Sequence, residues 1–415
     1  MSFGPPPASF GPTNQPVWTP PTEIEQALFE AKSREDWSAY FTTLAENRLY
    51  FEVRRDRTDA EPGNTFPVFG QDLRTGGAVW AVYTEGMLPA PDRVFDWDEL
   101  GWFARVWTPT YPPMIVVNPG SPYEAFLPSA PPHSGAWAQH SERAGFPSFR
   151  TTLRTLRVGG PLHGPVAHGL ACGALLFVNN GLPWNAMAYH GQGYPHERKA
   201  LREWWGVTSR GQWQEQQRAL LALDGANPVW EFALSLRRTI ARDFRGHVDT
   251  GYWRDAAAHV LRDRAAGETV ITADGVTRTE PRPTAETEAR IKGVQHLIGR
   301  ITRYEARFRA DGILDENRNV SSVDAWDLGR ASAMARWGLG SRYCDLPEAE
   351  AAVVEAGRSA SRSYRSWQDF AAGYILGRCL HFDDEEFGEW YTDVREAQRI
   401  LMSDPGSPWL NIPFR

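Results

Sequence analysis

Two kinds of apolar pattern divide the chain. Between Thr22 and Pro128, short runs rich in Val, Phe, Tyr and Trp are separated by turn residues. These runs are Leu49 to Val53, Thr65 to Phe69, Ala78 to Tyr83 and Met114 to Asn118, with Glu61-Pro62-Gly63-Asn64 and Asn118-Pro119-Gly120-Ser121 as the clearest turns. Such runs predict strands. Helical spacing brackets them. Ile24, Ala27, Leu28 and Ala31 follow a capping Thr22, Trp37, Tyr40, Phe41 and Leu44 follow next, and Trp97 to Trp107 predicts a short helix between strands. From Pro165 onward the apolar positions recur at helical spacing almost throughout. The stripe Ile291, Val294, Ile298, Ile301, Tyr304 and Phe308 is the longest, and Asp274-Gly275 between β-branched residues predicts one hairpin.

The fold class expected is therefore α+β: a small α+β domain over 22–128 joined to a mostly α-helical domain over 165–415. Residues 1–21, rich in Pro, Gly and Ser, are expected to be a disordered tail. Residues 129–164, rich in Pro, Ser, Gly and His at their start, are expected to be a linker.

Three helices between Val320 and Phe382 carry the densest positional signals. Ser321 or Ser322 caps the first, Asp345 with Glu348 makes a capping box for the second, and Ser366 with Asp369 starts the third. Gly373 and Gly377 share a face of the third helix. A glycine inside a helix costs roughly 1 kcal/mol relative to alanine, so a facing pair implies a close backbone approach, for which Gly329 and Ala325 are suited. Arg330 and Arg378 each follow a glycine, and Asp327, Glu350 and Asp369 are their possible partners. The plain reading is an ion-pair network between packed helices. The sharper one is a polar site for an anionic or guanidinium-bearing ligand.

Net charge is −7, which argues against a basic nucleic-acid footprint. Arg300, Arg303 and Arg307 are the best candidates for a local one. The three cysteines, Cys172, Cys344 and Cys379, have no CxxC spacing, so neither disulfides nor a structural zinc site is expected. His163 with His168, and His190 with His196, lack the spacing of a helical zinc site, and His168 with Cys172 lacks a third ligand. Gly159-Gly160-Pro161 and Gly191-Gln192-Gly193 complete neither a P-loop nor a dinucleotide fingerprint. No metal and no cofactor is expected. The absence of a basic stretch followed by an apolar run, and of any long apolar segment, predicts a cytoplasmic protein with no membrane span. Asp383-Asp384-Glu385-Glu386 reads as the solvated start of the last helix, or as a docking face in which Asp384 and Glu385 sit beside aromatic anchors Trp390 and Tyr391.

Two resemblances follow from these residues. Leu49-Tyr50-Phe51-Glu52-Val53, Phe66-Pro67-Val68-Phe69 and Val116-Val117-Asn118-Pro119-Gly120-Ser121 resemble the SseB N-terminal domain family. That resemblance implies a small α+β module of the kind found beside bacterial secretion or toxin–immunity systems, and carries over no catalytic residue. Trp204-Trp205-Gly206-Val207, Tyr304-Glu305-Ala306-Arg307, Ala325 to Arg330, Ser366-Trp367 and Gly373 to Arg378 resemble the domain-of-unknown-function family numbered 1266, the YbeU-like proteins. This implies a mostly helical bacterial domain without an established activity. The functional expectation is a non-catalytic, intracellular protein-interaction module with another protein as partner. The alternative is an enzyme with a polar site at Asp327, Arg330, Glu350, Asp369 and Arg378.

Overall fold

The structure, a computed structural model, describes residues 18–89, 92–145, 151–187, 193–244, 248–265, 269–272, 275–278 and 284–414. Of the expected tail, only residues 18–21 fall within this set. The first region runs α1 (Glu23–Ser33), α2 (Trp37–Ala45), β1 (Leu49–Glu52), α3 (Arg55–Ala60), β2 (Gly70–Gln71), β3 (Ala78–Val82), β4 (Phe95–Asp98), α4 (Leu100–Val106), β5 (Met114–Val117), β6 (Ala125–Pro128) and α5 (His133–Ala144). Four strands form one sheet in the order β2-β3-β5-β6. β3 and β5 are parallel, with Trp80 opposite Ile115, and the other pairs are antiparallel. β1 and β4 form a separate antiparallel pair in which Tyr50 lies opposite Trp97. The core between sheet and helices is aromatic. Trp80, 1 % exposed, packs its ring edge-on against Phe51 and Phe103 at 5.4 and 5.0 Å, geometry that the ring quadrupoles favour.

Three elements here differ from the sequence reading. The stretch expected to be a helix from Trp97 begins as strand β4, and helix α4 starts only at Leu100. Asp96 and Asp98 alternate with Phe95 and Trp97, the period of a strand edge that the helical stripe Leu100, Phe103 and Val106 overrides two residues later. The stretch expected to be a linker contains α5, whose Trp137 is 2 % exposed in the first core and whose Ser141 hydroxyl accepts the Gly101 amide at 3.0 Å. The alternating run Phe149 to Val158 within the expected linker, a pattern that reads as a strand, falls partly outside the described residues. The remainder carries one parallel bridge, Arg154 to Pro183.

The second region is mostly helical. α6 (Gly164–Cys172) and α7 (Ala174–Asn179) replace one expected helix, with the break at Gly173. There an added Cβ would meet Ser332 Oγ at 3.0 Å. α8 (Tyr194–Trp205), α9 (Arg210–Leu221), α10 (Pro228–Phe244), α11 (Thr250–Ala265), the hairpin β7 (Thr269–Thr272) and β8 (Gly275–Arg278), and α12 (Ala285–Ala310) follow; Asp274 of the hairpin turn lies outside the described residues. Then come α13 (Asp324–Gly340), α14 (Leu346–Ser363), α15 (Trp367–Phe382), α16 (Glu389–Ser403) and α17 (Pro408–Asn411). α13 and α15 are the hub. α13 is buried on nearly every side, so its apolar stripe is all-round and not amphipathic. The C-terminal apolar segment docks on this hub. Trp409 donates to the Ala171 carbonyl at 2.9 Å, and Trp367 donates to that of Ile412 at 2.9 Å. No helix among the described residues is long and apolar enough to cross a membrane.

Candidate functional site

Two of the three central helices are capped as their sequence dictates; the N-cap of α13 is Val323, without a side-chain cap bond, in place of the expected Ser321 or Ser322. Asp345 and Glu348 make both bonds of the capping box, and Ser366 accepts the Asp369 amide at 3.1 Å. The glycines of α15 do receive a close neighbour, but it is not the expected one. A Cβ on Gly377 would come within 2.5 Å of the Trp326 Cβ, and one on Gly373 within 2.5 Å of the Ser322 carbonyl. Ser322 with Gly373 and Trp326 with Gly377 mark one register along the two helices. Gly329 serves a separate contact, where an added Cβ would come within 2.5 Å of the Tyr374 ring.

The five polar residues of the expected site do not converge. Arg330 donates to Asp327 and to the Trp326 carbonyl, the latter at 3.2 Å, and lies over the Trp326 ring at 4.4 Å. Asp327, fully buried, also accepts the amides of Gly225 and Ala226 at 3.0 and 2.9 Å. Arg378 turns the other way, donating to the Trp390 carbonyl at 3.1 Å and lying over the Trp390 ring at 5.1 Å. Asp369 caps the opposite end of α15, accepting the Ser321 hydroxyl at 3.2 Å. Glu350 is half-buried on α14 and bonds to neither arginine. Burial lowers the Arg330 pKa against the opposing pull of Asp327. The pair Asp327–Arg330 is a splint that holds the α9–α10 connection against α13.

The expected docking face is only partly exposed. Asp384 is 90 % exposed at its side chain and Trp390 is 42 % exposed, stacked on Phe382 at 4.6 Å. Glu385 accepts Arg303 at 2.8 Å, and Arg300 reaches Asp384 at 3.5 Å. The acidic run thus neutralises two of the three arginines considered for nucleic acid, and Asp311 takes Arg307 at 2.7 Å. Tyr391 is fully buried and donates to Asp311 at 2.5 Å, so it is a core residue and not an anchor. The cysteines are buried, and burial pushes their thiols up. His168 faces the Phe414 carbonyl at 3.0 Å, and no cluster of three metal-ligating groups exists among the described residues.

A cleft that no single sequence motif marks lies where the two regions meet. Its volume is about 480 Å³, and β4, α3, the 62–65 turn and α8 line it. α8 begins at Gly193, where an added Cβ would meet the Phe95 carbonyl at 2.8 Å, so glycine is what lets the helix start against β4. From there α8 points His196, Arg198, Lys199 and Arg202 at the cleft, while β4 supplies Asp96, Trp97 and Asp98. His196 lies 3.1 Å from Asp96 and stacks on the Trp97 ring at 4.7 Å. Asp59 accepts the Tyr194 hydroxyl at 2.7 Å and Arg198 at 3.2 Å. Asp98 accepts only the Glu99 amide, at 2.8 Å. Burial, reinforced by repulsion from Asp96 and Glu99 and opposed by that amide and Arg105, pushes its carboxyl up to about 6. The traces of this cleft in the sequence were the acidic alternation Asp96, Asp98 and the basic face Arg198, Lys199, Arg202. Neither points to the other, since they meet only in the fold.

An aromatic α+β core, a helical core around two glycine-bearing helices and a polar cleft at their junction define a protein of two cores. The chain belongs to the family described as protein of unknown function (DUF1266), which matches residues 200–414. No curated protein matches the chain. No solved structure matches it either.

Proposed function

We propose that the protein is a non-catalytic protein-interaction module of the bacterial cytoplasm, with an SseB-like first region, working beside a secretion or toxin–immunity system. The observation that carries the interaction reading is Trp204. At 70 % exposure it is the most exposed aromatic side chain among the described residues, standing outward near the end of α8. Tryptophan exposes a large apolar area there at a cost that a partner's surface would remove, and buried Trp with flanking Arg is the composition of interface hot spots. The exposed Arg202 and Glu203 flank it. The resemblance of the 49–53, 66–69 and 116–121 runs to SseB N-terminal domains supports the cellular context.

The test is affinity capture of the full chain from its host beside Trp204→Ala. The expected result is one stoichiometric protein that the wild type retains and the variant loses, with unchanged melting temperature. Equal capture by both forms would overturn docking through α8.

A further inference from the structure

The junction cleft has a second property, independent of Trp204. Most of its charged groups are spent on one another: Asp96 on His196, and Asp59 on Tyr194 and Arg198. Three are not. Lys199 and Arg202 lie three residues apart on α8, both exposed and both lining the cleft, and neither has an ion-pair partner among the described residues. Asp98 on the β4 wall meets no cation within salt-bridge distance among the described residues.

We propose that this cleft binds a small zwitterion of the amino-acid or short-peptide class. The ligand's carboxylate meets Lys199 and Arg202, and its ammonium meets Asp98. The volume of about 480 Å³ suits such a ligand. A simple anion would leave Asp98 uncompensated, and a simple amine would face two like charges. Burial raises the Asp98 pKa although Arg105 pulls it down, and a ligand ammonium beside the carboxylate would lower it further.

The experiment is thermal shift followed by calorimetry on the full chain, with the standard amino acids and a set of dipeptides as probes, and inorganic phosphate and putrescine as single-charge controls. The expected result is saturable binding of at least one zwitterion. Asp98→Asn and the double variant Lys199→Ala/Arg202→Ala each weaken it tenfold or more, while neither control binds comparably. Since Lys199 and Arg202 are exposed and Asn is isosteric with Asp, each variant should fold, and its unliganded melting curve checks this. Three results overturn the proposal: no probe of the panel binds, a zwitterion binds equally to the variants, or phosphate binds as tightly as any zwitterion. The last would make the cleft an anion site.

Discussion

Asp98 is held at an energetic cost. Its carboxyl rises from 3.8 to about 6 on folding, with burial as the main cause. A group whose pKa is raised in the fold contributes stability below its unfolded value and loses it as pH climbs through the folded value. The window is therefore pH 3.8 to about 6, and at neutral pH the ionised Asp98 is a liability. Asp98→Asn should stabilise the chain near pH 7 by about 1 kcal/mol, a figure discounted for its partial exposure. It should also flatten the stability profile across that window. The groups facing Asp98 that could blur this are Asp96, Glu99, Arg105 and His196. Urea unfolding at several pH values measures it, and a loss of stability at neutrality would contradict the reading. Arg330 makes the opposite case. Removing it leaves Asp327 buried with only two amide donors, so Arg330→Ala should cost about 3 kcal/mol, the scale for breaking a buried pair. An unchanged unfolding midpoint would return Arg330 to the enzyme reading. The sequence offered Asp327 as one of three possible acidic partners for Arg330, and the fold selects it. The sequence could not separate Trp390 from Tyr391. Adjacent residues on a helix point about a quarter-turn apart, so only one faces the core, and the choice fell to Asp311, eighty positions away in the chain.

At the scale of the elements, glycine spacing on α15 was the most informative signal, and it gave the approach but not the neighbour. The reason is geometric. Gly329 and Ala325 are small enough for a backbone contact, yet Gly377 meets Trp326 of α13, and Gly373 meets the Ser322 carbonyl just before that helix and the Tyr364 hydroxyl. Gly377→Ala would force a methyl group to 2.5 Å from the Trp326 Cβ, an atom that cannot swing aside. The helices must separate, which should cost about 2 kcal/mol, typical of overpacking. Gly293→Ala on α12 reports the other sign. Nothing lies within 4 Å of its added Cβ, so helix propensity alone applies and the gain should be about 0.5–1 kcal/mol. Paired denaturation curves decide it; two changes of the same sign would show that α13 and α15 do not pack as described. Elements such as α5 and β4 were illegible for a related reason. Local composition reads as turn or short helix, and burial of Trp137 and pairing to β1 override it.

At the scale of the molecule, the two cores are joined by polar bonds that no local pattern predicts. Arg154, from the segment entering the helical region, reaches Glu85 at 3.4 Å, Glu23 at 3.6 Å and Asn47 at 3.2 Å. The Arg157 amide donates to the Pro21 carbonyl at 2.7 Å beside it. Glu85 is 5 % exposed, and burial raises its carboxyl despite the lowering pull of Arg154 and Arg48. Arg154→Ala would remove the larger of these two pulls and raise it further. The sign then follows as for Asp98: stability is kept below the unfolded value of 4.5 and lost as pH rises above it. The variant should therefore be destabilised by about 3 kcal/mol at neutral pH, and the deficit should shrink as the pH falls towards 4.5. Because the bond joins two hydrophobic cores, its loss should also split one unfolding transition into two. Calorimetry at pH 7 and pH 4 reads both effects. A single transition with a pH-independent deficit would show that the remaining contacts, among them Asp59 with Tyr194 and Arg198, couple the cores without Arg154. The cleft at Asp98 and His196 would then keep its shape without Arg154. A split transition would instead make this arginine the bond that sets the cleft's two walls, β4 from one core and α8 from the other.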